Sequence, residues 1–374
     1  MATAAASREV MTPDTATARP DVRARAGSER AVRRWLLALA VLVIAMASVG
    51  AATRLTGSGL SITEWKPVTG AVPPLSTADW EAEFAKYRAS PQYDLVNRGM
   101  SLGEFKTIYA WEWGHRFLGR LIALAFFVPL AVFGWRGWLT RRLVLGLVAL
   151  GLVGALQGAV GWIMVASGLQ PGMTAVAPVK LTLHLILASL ILAGLVWLAA
   201  GLAPRRIEPV PGRLRRTAAA LSGLVLLQVA LGGLVAGAKA GFTYNTWPMM
   251  DGMLVPPAFA LFVGTPWIEN FADNVLLVQF NHRIVAYLLL AAAIFHAVDA
   301  RRAAPGSGAA RRATALAGLA AGQGLLGIVT LLLVVPIWAG LAHQFLGLSI
   351  LAMSVIHWRA CRLATGRGGR PGRA

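Results

Sequence analysis

Four of the six histidines in this 374-residue chain fall at repeating places in an otherwise apolar sequence. His115 and His282 stand in two versions of one polar pentapeptide, EWGHR (112–116) and QFNHR (279–283), 167 positions apart. His184 and His343 each follow the start of a further apolar run by six or seven residues. If the runs are helices crossing in one direction, ligands seven to nine residues in lie about 10–14 Å below the helix start, at matched depth. Two inward histidines at one depth on two helices form a bis-axial cage for a flat iron macrocycle. A lone intramembrane histidine more often bonds across helices or relays protons. Zinc asks for three or four close ligands, usually with Cys or carboxylate. Two matched pairs favour heme, with His115, His184, His282 and His343 as iron ligands.

The neighbours of these histidines carry their own chemistry. Glu112 and His115 are three apart and share a helix face. A carboxylate there is costly to bury unless it works or is paired, and pairing with Arg116 or Arg120 is the plain alternative. Gln279 holds the same place in the second copy but cannot titrate. Arg116 and Arg283 suit heme propionates, which a guanidinium grips bidentately, or else snorkel to headgroups. Arg120 lies one turn deeper, and Lys180 reads as an interfacial anchor. Gln157, Gln228 and Gln323 are expected to hydrogen-bond across helices. Trp65, Trp111, Trp113 and Trp247 fit an aromatic belt or the walls of the heme sites. His296 and His357 lie 14 residues beyond His282 and His343, about 21 Å deeper on nearly the same face. With no equivalents in the first half and arginines around them, they read as interfacial histidines rather than ligands of a third heme.

Composition dictates what positions these groups. The chain is 57% hydrophobic and 14% charged, against about 25% charged in soluble domains. Eight apolar runs reach membrane-spanning length, at 34–53, 107–134, 143–167, 177–201, 217–238, 273–298, 314–335 and 337–360. The net charge of +19 gathers in the N-terminal tail, in the loops after runs two, four and six, and after run eight, whereas residues 54–106 hold six basic and six acidic side chains. That pattern sets topology: both termini cytoplasmic, with 54–106 and 239–272 outside. It excludes nucleic acid as the partner and makes lipid the surroundings. The first run is read as a retained helix rather than a signal peptide, because run five is its counterpart. The single cysteine, Cys361, excludes an intrachain disulfide.

Repetition organises the chain. GLSITEW ends at Trp65 and GFTYNTW at Trp247, 182 apart; Pro73-Pro74 and Pro256-Pro257 follow at 183; QGAVG (157–161) and QGLLG (323–327) stand 166 apart. The expected fold is an all-α integral membrane protein of eight helices in two pseudo-symmetric four-helix bundles, made by tandem duplication. Its expected divisions are a disordered basic tail at 1–33, an N-terminal bundle at 34–201, a linker at 202–216, a C-terminal bundle at 217–360 and a disordered basic tail at 361–374.

RLTGSGLSITEWKPVTGAVPP (54–74), YAWEWGHRFLGR (109–120), LTLHL (181–185), YNTWPMMDGMLVPP (244–257), QFNHRIVAY (279–287) and AHQFLG (342–347) together resemble the heme A synthase family over about 33–360. Without an outer-loop cysteine pair, the chain is similar to the proteobacterial and mitochondrial branch. The resemblance implies an oxidoreductase of the cytoplasmic (inner) membrane, with heme sites toward the outer side. It would convert heme O to heme A by oxidising a ring methyl to a formyl group. His282 and His343 match the pair that holds heme b, with Arg283 beside them. His115 and His184 match the pair at the heme O/heme A site, with Arg116 beside them, and Glu112 with His115 would be catalytic, the acid moving protons. Heme O synthase, oxidase assembly factors and an electron-transfer partner are the implied associates. Two other functions fit the residues less well. A diheme b-type electron carrier has no evident need of Glu112, and a heme transporter would want an extended tryptophan-rich outer loop.

Overall fold

The computed structural model describes residues 20–204 and 210–365, with side chains from Arg25 onward. Among the described residues the regular structure is helical. The expected tail segments 1–19 and 366–374, with Arg205 and Arg206 of the linker, lie outside them.

Helix α1 (Pro20–Leu55) is followed by a long connection containing α2 (Thr77–Arg88) and α3 (Pro91–Leu95), and then by α4 (Leu102–Trp135), α5 (Arg141–Gly168) and α6 (Pro178–Gly201). After the linker come α7 (Gly212–Gly237), a second long connection with the short α8 (Ala258–Leu261) and α9 (Asn270–Asp273), and α10 (Val275–Ala303), α11 (Gly308–Leu332) and α12 (Ile337–Thr365). All eight expected runs are helices long and apolar enough to cross a membrane. Polar caps start them where the apolar runs begin. Ser101 and Glu104 form a capping box on α4, while Thr140, Asn274 and Ser307 cap α5, α10 and α11.

Three expected boundaries are corrected. Residues 20–33 are not a disordered tail but the first turns of α1, since Ala, Arg and Glu there are good helix formers that prolong an apolar helix. Residues 361–365 likewise extend α12, where Arg362 complements the C-terminal dipole. The expected linker also ends early, at Pro211, with α7 beginning on Gly212.

The long connections gather at one end of the bundle, the loop end; Arg213 and Asp299 pair at the other. In the second half α7, α10, α11 and α12 close into a ring, each packing on its two neighbours. In the first half α1 packs on α4 and α6, and α5 on α6, but α4 and α5 barely approach each other. Helices α1, α6, α7 and α12 form the junction between halves, around Leu36, Leu39, Leu192, Leu195, Leu221 and Leu351. Polar contacts cross it too, among them Gln344 Nε2 to the Ala47 carbonyl at 2.7 Å and Arg54 to the Ala236 carbonyl.

The junction is tight because its crossing points are small. A Cβ on Gly237 of α7 would lie 2.6 Å from Pro178 Cα of α6, and one on Gly233 would meet Thr182. Gly237→Val is therefore expected to cost about 1–3 kcal/mol by overpacking. Thermal unfolding of the detergent-solubilised protein would read this as a lowered Tm, whereas Gly223→Ala, where a Cβ meets nothing, should leave Tm near its starting value.

Candidate functional site

Each of the four histidines lies against a bare stretch of backbone on the preceding helix. A Cβ built on Gly50 of α1 would stand 2.8 Å from His115 Cε1; on Gly161 of α5, 2.9 Å from His184 Cε1. On Gly232 of α7 it would stand 3.3 Å from His282 Cε1, and on Gly327 of α11, 2.9 Å from His343 Cε1. Only glycine lets the imidazole lie that close to its neighbour. Four residues before three of these glycines, one turn away, stands a glutamine. Gln157 Nε2 is 3.3 Å from His184 Nε2, Gln228 Nε2 is 3.1 Å from His282 Nδ1, and Gln323 Nε2 is 3.2 Å from His343 Nδ1. Gln228 and Gln323 also donate to the backbone carbonyl of their histidine, at 3.0 and 2.9 Å. The expected interhelical role of all three is thus a role on the histidines. In α1 the corresponding place belongs to Met46, so His115 has no such partner.

The arrangement fits a heme. The Gln157, Gln228 and Gln323 Oε1 atoms and the His115 and His184 Nδ1 atoms are buried without a hydrogen-bond partner. An iron-bound imidazole needs an acceptor for its free ring N–H, and an idle amide oxygen nearby is suited to that task. His282 and His343 face each other with ring centroids 6.4 Å apart at 69°. A metal–imidazole bond of about 2 Å on each side would put facing nitrogens about 4 Å and centroids about 6 Å apart. The second-half pair is already spaced for one iron.

His296 and His357 are spaced differently. Their Nε2 atoms are 2.8 Å apart and their centroids 5.1 Å, and His296 Nδ1 is 2.7 Å from Thr217 Oγ1. Both are buried, at 2% and 1% exposure, so the expectation of interfacial histidines is corrected. The 14-residue spacing turns them inward beneath His282 and His343, where they satisfy each other. A gap of hydrogen-bond length has no room for iron.

At the loop end, Glu112 and Gln279 do matching work with opposite polarity. Both are 3% exposed. Glu112 Oε2 accepts from Ser61 Oγ at 2.8 Å and from the Ile62 N–H at 2.9 Å, while Oε1 pairs with Arg116 Nη2 at 2.7 Å. Gln279 Nε2 instead donates to the Ala240 and Thr243 carbonyls, at 2.7 and 2.8 Å, and its Oε1 accepts from Arg283 Nη2 at 2.8 Å. The arginines complete the clasp. Arg116 donates to the Ile62 and Glu64 carbonyls, Arg283 to that of Tyr244, and Arg120 to those of Pro67 and Lys66. Arg116 and Arg283 are turned to the loops rather than standing free for propionates or headgroups. Pairing of Glu112 with Arg116, the plain alternative, is what the structure contains. Ser61 and Ile62 are the partners that motif reading did not find, and Met46 and the Gly50 cradle escaped with them. The recurring Gln-x-x-x-Gly spacing was the available signal for the cradles.

Beyond the clasp, Glu64, Lys66, Glu83 and Lys86 form a surface ion network on the first loop, with the two ammonium groups holding the Glu64 carboxyl below its usual range. Trp65 lies 6.2 Å from Trp162 of α5, Trp113 stacks on Phe117, and Trp247 Nε1 donates to Tyr287 Oη. Trp111 is exposed, and Lys180 lies beside Trp162 in a shallow groove.

Residues 33–355 match the sequence profile of the cytochrome oxidase assembly protein family. A heme A synthase of Methylobacterium sp. (strain 4-46) is 69% identical over 92% of this chain and 96% of its own length. That of Methylobacterium nodulans is 68% identical over 87% and 90%, and that of Azorhizobium caulinodans 52% over 89% and 94%.

The cradle makes a measurable claim. Gly327→Val is expected to lower bound heme per protein about tenfold, in the range of outer-shell changes at metal sites, by pushing His343 out of line. Gly318→Ala on the same helix, where a Cβ meets nothing, should leave occupancy unchanged in a pyridine hemochrome assay.

Proposed function

This chain belongs to the heme A synthase family, and from that premise we propose that it oxidises a ring methyl of heme O to the formyl group of heme A, supplying heme-copper oxidases. In this reading His115 and His184 hold the substrate heme in the first bundle, and His282 and His343 hold a heme b in the second. The heme b, when bound, supplies one-electron transfer. A methyl that becomes a formyl loses four electrons and gains one oxygen, from water or dioxygen, so an electron-transfer partner must take part and the site must dispose of protons.

One observation carries the division of labour. Two slots with the same glycine cradles differ in the group buried at their loop end, a carboxylate at Glu112 against an amide at Gln279. At the loop end of its slot Glu112 is held by the guanidinium of Arg116 on Oε1 and by the Ser61 hydroxyl and the Ile62 N–H on Oε2. We assign it the acceptance of protons released at the methyl, through Oε2, where the Ser61 hydroxyl is the exchangeable neighbour. Gln279 can only position its helix, which suffices for a heme that carries electrons. Arg116 and Arg283 are positioning residues that keep the loops seated over the slots.

The remaining placement follows charge. Arginines concentrated at the end opposite the loops support a placement with both termini in the cytoplasm and the heme sites toward the outer side of the inner membrane. Heme O synthase, oxidase assembly factors and an electron-transfer partner are the associates this reading implies.

Glu112→Gln tests the assignment, because Gln279 shows that an amide can hold the arginine. The variant is expected to bind both hemes yet lose heme A output by 100-fold or more, of the order of general acid–base contributions. Heme A formed at the unaltered rate would remove Glu112 from the chemistry. Pigment extracted from the unaltered protein should contain heme B with heme O or heme A, and heme B alone would overturn the synthase reading.

A further inference from the structure

The two halves differ in a second way that the ligands do not explain. Where α10 and α11 pack together, their facing residues are small: Ala293, 2% exposed, and Ala317. At the matching places in the first half stand Phe126 and Gly151. The Phe126 ring, with that of Phe127, comes within 3.5–3.6 Å of where a Gly151 Cβ would lie. Rings wedged against a glycine hold the α4 and α5 backbones apart, so a seam runs between them that has no counterpart in the closed second bundle. Toward the loop end, on the Gly151 face of α5, Gly154 looks into open space. The counterpart of Gly154, Ala320, is packed against the core. None of the most apolar stretch of α4 is buried, against 28% of that of α10.

The seam is roofed. The first loop is pinned to α4 through Arg116 and Arg120, and it carries Trp65 across to Trp162 of α5. In the second half Trp247 turns back to Tyr287 on its own α10. The first slot is therefore covered at the loop end and open sideways, toward lipid.

We propose that the α4–α5 seam is the membrane portal for an iron porphyrin bearing a long isoprenoid tail, admitting the substrate and housing its tail. This rests on the assignment of heme O to the first half. The chemistry agrees on both sides. An apolar chain many carbons long stays in hydrocarbon, since each CH₂ brought into water costs about 0.8 kcal/mol, so such a porphyrin should arrive from the bilayer. A resident cofactor exchanges with nothing and is served by a closed ring of helices.

Phe127→Cys with Gly151→Cys, in a Cys361→Ala background, can be bridged by a short bis-thiol reagent cleavable by reduction. The protein, carrying its C-terminal heme in nanodiscs, is mixed with vesicles loaded with heme O, and uptake is followed by the Soret band. The bridge should slow uptake at least tenfold, and reduction should restore it. A matched bridge between Ile294→Cys and Ala317→Cys, across the closed seam, should change nothing. Gly154→Trp, which plugs the seam without a cross-link, should slow uptake in the same way. Equal uptake with and without the bridge and the plug would overturn the portal, leaving the seam to bulk lipid or a second copy of this chain. No uptake by the unbridged protein would overturn the substrate-heme assignment itself, and the portal with it.

Discussion

An imidazole laid on bare helix backbone is the contact on which the rest of this molecule depends. A histidine that projects into a four-helix bundle competes for space with the helix beside it, and at His115, His184, His282 and His343 alike the competitor is a glycine. The cradle fixes how closely adjacent helices approach, and hence which faces remain for packing between the halves. Glutamine one turn away then orients the ring in three of the four cases. Ligand geometry and helix packing are in this way one requirement, and a change to either disturbs both.

The loop end shows how two copies of one design can diverge without losing their shape. The second half reverses both loop hydrogen bonds made by the buried side chain in the first. Where Glu112 accepts from a hydroxyl and an N–H, Gln279 donates to two carbonyls. The arginine contact survives the exchange because both side chains offer it an oxygen. Local loop conformation, set by Ser61 and Ile62 on one side and by Ala240 and Thr243 on the other, decides whether an acid or an amide belongs there. The identity of that residue is thus a joint property of a helix and a loop distant from it in sequence.

That distance explains what could be read from the sequence and what could not. Eight helices were legible because hydrophobic runs of membrane length have few alternatives, and the histidine pairs because a repeat put them in register. The glutamines were legible as interhelical partners, though not of which residues. The inner pair His296 and His357 misled, since adjacent arginines suggested an interface while the helix phase turned both rings inward. The clasp partners of Glu112 lie about 50 residues upstream and carry no signature of their own. The start of α1 was hidden by composition: a run rich in Ala, Arg and Glu reads equally as a solvated tail or as helix continuing beyond the membrane.

The junction has a consequence for electron transfer. His184 and His343 sit on α6 and α12, which pack directly on each other within the tightest part of the molecule, while His115 belongs to α4 at the periphery. Under the proposed assignment of one heme to each half, this packing would act as a stiff internal ruler between them, and because tunnelling rates fall steeply with distance it would keep the electron step steady while the peripheral helix moves.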